Sequence, residues 1–318
     1  MYQGAKDNQT SDQKAKNYKL AEVCTAAAPV EWFEKSNWIQ YPIRNQDGSF
    51  QCVCMTLATE MGIIFKQKYG KFINFSSSFP YQQRGNTEQE GCTSTDVYSI
   101  FPKIGDVFES FMPSQNLSET DTMGVFLENY YKDLAKAFTV KRIELPIDFE
   151  TVASTIQATG KGVMLWFHFS SPEWTDMPQV LSQAITSGHS VTAVDFLLKN
   201  GKKYLVIQDS WGLDYAMGGY RFISEEYFKA RCFLASYLKT FEILDPQTVD
   251  KPHYDGTIIS LQKCLKYEGV FPANVPEIEN YGPITKKAIL DFQLRYNIKP
   301  ALGVFGPQTQ AKILEIYK

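Results

Sequence analysis

Asn45-Gln46-Asp47-Gly48-Ser49-Phe50-Gln51-Cys52-Val53-Cys54-Met55-Thr56-Leu57-Ala58 is a turn-rich segment that runs directly into an apolar, helix-favouring one. Asp47, Gly48 and Ser49 predict a loop, while Met55, Leu57, Ala58, Met61 and Ile64 predict a buried helix beginning near Cys52. A thiol at the first turn of a helix gains from the partial positive charge there, which favours thiolate over thiol and so a better nucleophile. Gln46, six residues upstream of Cys52, is placed to fold its amide over that sulfur and to donate, with a backbone N–H at the helix start, to a developing oxyanion. Cys54 is a rival thiol two residues on, but the Gln46 spacing favours Cys52.

Thiolate chemistry needs a base, and the chain holds three histidines, His168, His189 and His253. His189 opens the alternating run from Ser187 to Phe196, which predicts a strand with the imidazole at its rim. An Asn200-Gly201 hairpin turn leads to a second strand over Lys203–Gln208, and this delivers Asp209-Ser210-Trp211-Gly212 beside the first. Asp209 can then fix the tautomer and orientation of the His189 ring. His168, among Leu165, Trp166, Phe167 and Phe169, reads as a core or rim histidine without a chemical role. Glu60, Glu173 and Asp195 form no paired-carboxylate arrangement and read as solvated.

In this order and spacing the residues resemble a papain-like cysteine peptidase. That family has a Gln six residues before the nucleophilic Cys, a Gly-His or similar pair opening a later strand, and an Asn-Ser-Trp-Gly motif. Gln46, Cys52, Gly188-His189 and Asp209-Ser210-Trp211-Gly212 match it, and the 137 positions from Cys52 to His189 fit the family separation of ~130–150. Gly219-Tyr220-Arg221-Phe222-Ile223 continues the pattern, and the similarity spans about Trp38 to Leu244. The resemblance implies an α+β, two-lobed fold in which a helical lobe carrying Cys52 faces an antiparallel β lobe carrying His189. It implies that Asp209 orients His189, that Trp211 shields that pair from water, and that Gly188 and Trp211 border the substrate. No metal ion or organic cofactor is required. Asp209 replaces the usual Asn. Ser49 stands where many members have a Cys that bridges to a downstream Gly-rich loop, so Cys92, in Glu90-Gly91-Cys92-Thr93-Ser94, is expected to lack that partner.

The remaining chain is consistent with a soluble two-domain protein of 318 residues, 44% of them apolar. Its net charge of −3 gives no reason to expect nucleic acid or an anionic membrane as partner, and no apolar run reaches the ~20 residues of a bilayer span. Six cysteines at irregular spacing predict free thiols rather than a disulfide framework. Residues 1–35 form a polar N-terminal arm, read as mobile; its first 20 residues lack the features of a signal peptide, and it is too short and polar to act as an inhibitory segment whose removal activates the enzyme. Within the domain over 36–245, helices are predicted over Thr95–Ile104, Thr122–Phe138 and Asp148–Gly160, the last capped by Asp148, with an apolar strand over Gly162–Phe169.

Residues 246–255 read as a polar, Pro-punctuated linker, and a small domain follows over 256–318. Gly282-Pro283-Ile284-Thr285 recurs 24 residues later as Gly306-Pro307-Gln308-Thr309, each opening a helical pattern. Glycine supplies the turn and proline sits where no helical N–H is lost. With Leu261-Gln262 and Phe292-Gln293, this resembles a peptidoglycan-binding domain of the small three-helix type. The two resemblances together imply a peptidase directed to bacterial cell wall, acting on peptidoglycan peptides or wall proteins, as in a phage or bacterial lysin. The alternative is a papain-like binding or virion component without activity, favoured by Asp209 and the changed Gly91-Cys92 loop.

Overall fold

The structure is a computed structural model and describes residues 4–11, 29–88, 90–127, 129–181, 184–242, 252–272 and 275–317. Most of the polar arm and most of the linker lie outside the described residues. Helix α1 (Cys52–Tyr69) is buried on every side from Cys52 to Ile64 and ends at Gly70, whose φ of 75° takes the left-handed conformation that glycine adopts freely. Its partner is a six-stranded antiparallel sheet in the order β3-β8-β4-β5-β6-β7. The strands are β3 (Thr139–Leu145), β4 (Val163–Phe169), β5 (Ser187–Lys199), β6 (Lys202–Gln208), β7 (Tyr220–Ser224) and β8 (Cys232–Glu242).

Both faces of this sheet are covered, which explains why β4 reads as a continuous apolar run rather than an alternating one. Met164 and Trp166 join the core of α1, while Val163, Leu165 and Phe167 join an opposite core containing Phe149, Val152, Tyr227 and Phe228. Phe149 and Val152 lie on a helix over Phe149–Thr159, capped by Asp148 accepting from the Thr151 N–H at 2.8 Å. Asn200 and Gly201, with φ of 53° and 73°, make the tight turn between β5 and β6.

Two readings of the sequence need correction, and a third gains a detail. The single helix over 122–138 is divided into helices over Glu119–Gly124 and Asn129–Ala135 and a 3₁₀ turn, because Val125 turns extended after Gly124; Phe126 is left exposed. The helix read over 95–104 is present from Asp96 to Ile104 and ends at Gly105 as expected, the refinement being that its first turn, Asp96–Ile100, is π-helical. Glu60, Glu173 and Asp195 are buried, not solvated, and each has a basic partner: Arg142 at 2.6 Å, Arg231 at 2.6 Å and Lys35 at 2.9 Å. Charges taken out of water are kept by pairing.

The C-terminal unit has its own core of Tyr254, Leu261, Leu265, Ala288, Ile289, Phe292, Ile313 and Tyr317. Three helices, Ile258–Tyr267, Pro283–Arg295 and Pro307–Ile316, surround it. The repeated Gly-Pro-x-Thr turns are structurally equivalent. Gln262 Nε2 donates to Thr285 Oγ1 at 2.9 Å and Gln293 Nε2 to Thr309 Oγ1 at 2.8 Å, while in the loop before the turn Gln262 Oε1 accepts from the Ile278 N–H and Gln293 Oε1 from those of Leu302 and Gly303. A buried glutamine on one helix therefore fixes where the next helix starts.

Candidate active site

Cys52 is the first residue of α1, and His189 is the third residue of β5; both are buried. His189 Nε2 lies 2.7 Å from Asp209 Oδ1, which leaves Nδ1 as the ring nitrogen open to Cys52. Asp209 follows β6 and is held by its N–H to the Gly219 carbonyl at 2.8 Å. Burial alone would lower the His189 pKa, but the charge and hydrogen bond of Asp209, together with Cys52, raise it to about 9. Burial pushes the Asp209 carboxyl up, yet His189 and Arg221 outweigh it and hold the group well below the usual carboxylate range.

Gln46 enters through a loop stitched to the Asp209 motif. Its N–H donates to the Ser210 carbonyl at 2.8 Å, Asn45 bridges Trp211, and the Gly212 N–H donates to the Arg44 carbonyl at 3.0 Å. Gln46 Nε2 donates to the Ser49 carbonyl at 2.7 Å and carries a second hydrogen, while Oε1 accepts from Ser210 Oγ at 2.7 Å. The amide is therefore fixed end for end. Trp211 is half-buried with its ring 5.2 Å from that of His189, and Trp174 meets the same imidazole edge-on at 5.6 Å. His168 is stacked on Phe233, 3.8 Å between centroids, away from this set.

Cys54 faces inward. Its sulfur lies 3.6 Å from that of Cys92, and burial with this contact pushes the Cys54 thiol well above its ordinary pKa. Cys92 thus lacks a partner at position 49, as the sequence predicts, and meets Cys54 instead.

The N-terminal arm does not run free over its described part. Strand β1 (Ala5–Lys6) pairs in parallel with β2 (Cys92–Thr93), the Gly4 N–H donates to the Gly188 carbonyl at 3.2 Å, and the Cys92 N–H donates to the Gly4 carbonyl at 2.8 Å. Gly4 lies directly against the Cys52 sulfur, where an added Cβ would collide with it. Asn8 is fastened by Ser94 and Thr95, its Oδ1 accepting from both hydroxyls at 3.0 and 2.9 Å. Residues 4–6 of the arm thus link Gly188 of the β lobe to Cys92 of the helical one, over the candidate nucleophile. The reading of a mobile arm is corrected for residues 4–11: two glycine-sized approaches, at Gly4 and Gly188, and the positive φ of 79° at Gly91 let a backbone enter where polarity alone suggested solvent. Beside it, an open depression of about 620 Å³ is lined by Asn45, Gly48, Phe169, Ser187, Trp211 and Tyr215.

Four roles in the site escape motif reading: Ser210 as the anchor of Gln46, Trp174 and Arg221 as donors to Asp209, and Gly4 over the thiol. Arg221 leaves a trace. On β7, Tyr220 and Phe222 enter one core and Ile223 the other, so the alternation puts Arg221 on a buried face, where a cation needs an acid.

The larger unit has the papain-like cysteine-protease fold. It is similar to xylellain, a cysteine protease from Xylella fastidiosa, with 14% identity over 69% of this chain and 99% of that one and a TM-score of 0.54. It is similar to the clostridial cysteine protease Cwp84, with 16% identity over 64% of this chain and 56% of that one and a TM-score of 0.52. Digestive procathepsin L 3 of Tenebrio molitor larval midgut gives 19% identity over 69% and 71% and a TM-score of 0.50. Residues 255–313 match the family model described as "Putative peptidoglycan binding domain". None of the curated proteins compared matches the chain.

Proposed function

We propose that this protein is a cysteine endopeptidase directed to bacterial cell wall, hydrolysing peptidoglycan peptides or wall-associated proteins. The observation that carries the reading is the convergence of Cys52, His189, Asp209 and Gln46 at one cleft. The Cys52 thiolate adds to the peptide carbonyl carbon, and the tetrahedral oxyanion is met by the free Gln46 Nε2–H and the Cys52 backbone N–H. As the C–N bond breaks, His189 gives its proton to the leaving amine and a thioester remains. His189 then takes a proton from water, the hydroxide adds to the thioester, and the acid departs with the thiolate restored. Asp209 keeps the imidazole aimed throughout, and Trp211 screens the pair from water. Gly4 must leave before a substrate can reach the sulfur.

The reading as an inactive binding protein or virion component draws on Asp209 and the changed Gly91-Cys92 loop. The 2.7 Å contact of Asp209 with His189 favours the enzyme. Labelling by an electrophilic peptide epoxide tests the choice: modification of Cys52 alone, followed by loss of peptide turnover, is expected. A folded protein that takes up no label, with or without the arm, would put the inactive reading in its place. A phage or bacterial lysin role is the setting in which we place the activity.

A further inference from the structure

Asp209 is saturated by donors. Oδ1 meets His189 Nε2 and the Ser210 N–H, each at 2.7 Å, while Oδ2 accepts from Trp174 Nε1 at 2.9 Å and Arg221 Nε at 2.8 Å. Arg221 is buried, donates from Nη1 to the Trp174 carbonyl at 3.0 Å, and lies over both the Trp174 and Trp211 rings, 5.3 Å from each centroid. Such a planar cation, stacked and hydrogen-bonded at once, has one orientation open to it. An asparagine amide could not take the place of this carboxylate unchanged. Whichever way it turned, its NH₂ would face donors, either His189 and Ser210 or Trp174 and Arg221, and leave buried N–H groups unmatched.

We propose that Arg221 is a positioning residue of the proteolytic site: held by Trp174 and Trp211, it clamps the Asp209 carboxylate so that an acid, not an amide, orients His189. The inference rests on the peptidase reading above. Arg221 also balances charge. With Cys52 in the thiolate form the proposed mechanism uses, imidazolium, carboxylate and guanidinium complete a neutral buried set, and the neighbouring charges are already satisfied, since Glu173 pairs with Arg231 beside Tyr227. Asp209 and Arg221 are then a matched pair, and replacing one alone does more harm than replacing both.

The test uses the full chain and two readouts, the ring titration of His189 by NMR and the pH profile of kcat/KM on a soluble peptide. Arg221→Met removes a cation near the imidazolium, so the His189 titration should move up by about half a unit or more, with kcat/KM reduced about tenfold or more as the ring loses its aim. Asp209→Asn should move the titration down. Arg221→Lys keeps the charge but not the planar fork, so the titration stays near the wild-type value while kcat/KM still falls. The double variant Asp209→Asn/Arg221→Met, which has neither charge nor unmatched guanidinium, should exceed Asp209→Asn by at least about tenfold in kcat/KM. A merely structural Arg221 would lower Tm and leave the titration in place, and the double variant would be no better than Asp209→Asn; either result overturns the proposal. Should Arg221→Met not fold, the comparison of double with single variant decides. Absence of peptide turnover in the wild type, with the His189 shifts as stated, would sink the peptidase reading and leave the Arg221 clamp standing.

Discussion

At the scale of single residues, Cys52 and Cys54 differ in environment more than in position. Cys52 faces His189, whereas Cys54 is sealed against Cys92 with its thiol held protonated by burial. Cys52→Ala should therefore lower turnover by at least about 10³-fold, and Cys54→Ala should leave kcat/KM within about threefold; a Cys54→Ala protein that is folded but dead to the epoxide label would reverse the assignment. Ser210→Ala should release the Gln46 amide to flip, so kcat should fall about tenfold, the worth of one hydrogen bond, with KM little changed; an unchanged kcat would mean that Gln46 is fixed by Ser49 alone. With His189 raised to about 9, the imidazolium that donates to the leaving amine persists to that pH, and activity should decline only above it. A decline centred near the ordinary histidine value, about 6.5, would separate His189 from Asp209 in solution. Gln46, Cys52, His189 and Asp209 were legible because short motifs fix them at set intervals. Trp174 and Arg221 were not, since a hydrogen bond between positions 174 and 209 depends on how strands are ordered, which no local spacing records.

Among the elements, the strands were read well where a turn or a doubly covered face marks them, as at Asn200-Gly201 and β4. Helix 122–138 was misread because apolar residues at helical spacing continue across Gly124 although the chain turns extended at Val125. The buried acids were misread for a related reason: Glu60 has its partner Arg142 on β3, far along the chain. Arg142→Met should destabilise the fold by roughly 3–5 kcal/mol in urea titrations, because it strands a buried carboxylate; a change below about 1 kcal/mol would show that water reaches Glu60. Strand β1 makes the sharper functional point. Ala5 and Lys6 pair with β2, and Gly4, Asp7 and Asn8 add hydrogen bonds at either end, so the described part of the arm is held by polar contacts, each worth about 0.5–1.5 kcal/mol net. Removing residues 1–11 should accordingly raise the rate of Cys52 alkylation by iodoacetamide and kcat/KM on a soluble peptide, by tenfold or more if two such bonds must break. Equal rates with and without the arm would mean that the cleft is already open in solution.

For the whole molecule, the question is why a papain-like unit and a three-helix unit share one chain. The C-terminal unit buries its own core around Leu261, Phe292 and Ile313, and Tyr254 closes it by donating its N–H to the Tyr317 carbonyl at 3.0 Å. Its two Gln-to-Thr locks are internal to it as well, so its repeat was legible in the sequence, while the part Tyr254 takes in its core was not: one tyrosine beside the linker carries no period. If this unit holds peptidoglycan, it makes hydrolysis at the wall a tethered reaction, with an effective concentration set by the linker, on the order of millimolar. Removing residues 252–318 should then lower the rate on purified sacculi about 10²-fold at sub-micromolar enzyme, because encounter again depends on free diffusion. The same truncation should leave kcat/KM on a soluble peptide within about twofold, since among the described residues none of that unit lines the Cys52 cleft. The separate fragment over 252–318 should pellet with sacculi, and an excess of it should slow the intact enzyme on walls but not on the peptide. Equal loss on both substrates would assign the unit to the stability of the peptidase, and a folded fragment that stays in the supernatant would assign it to a protein partner.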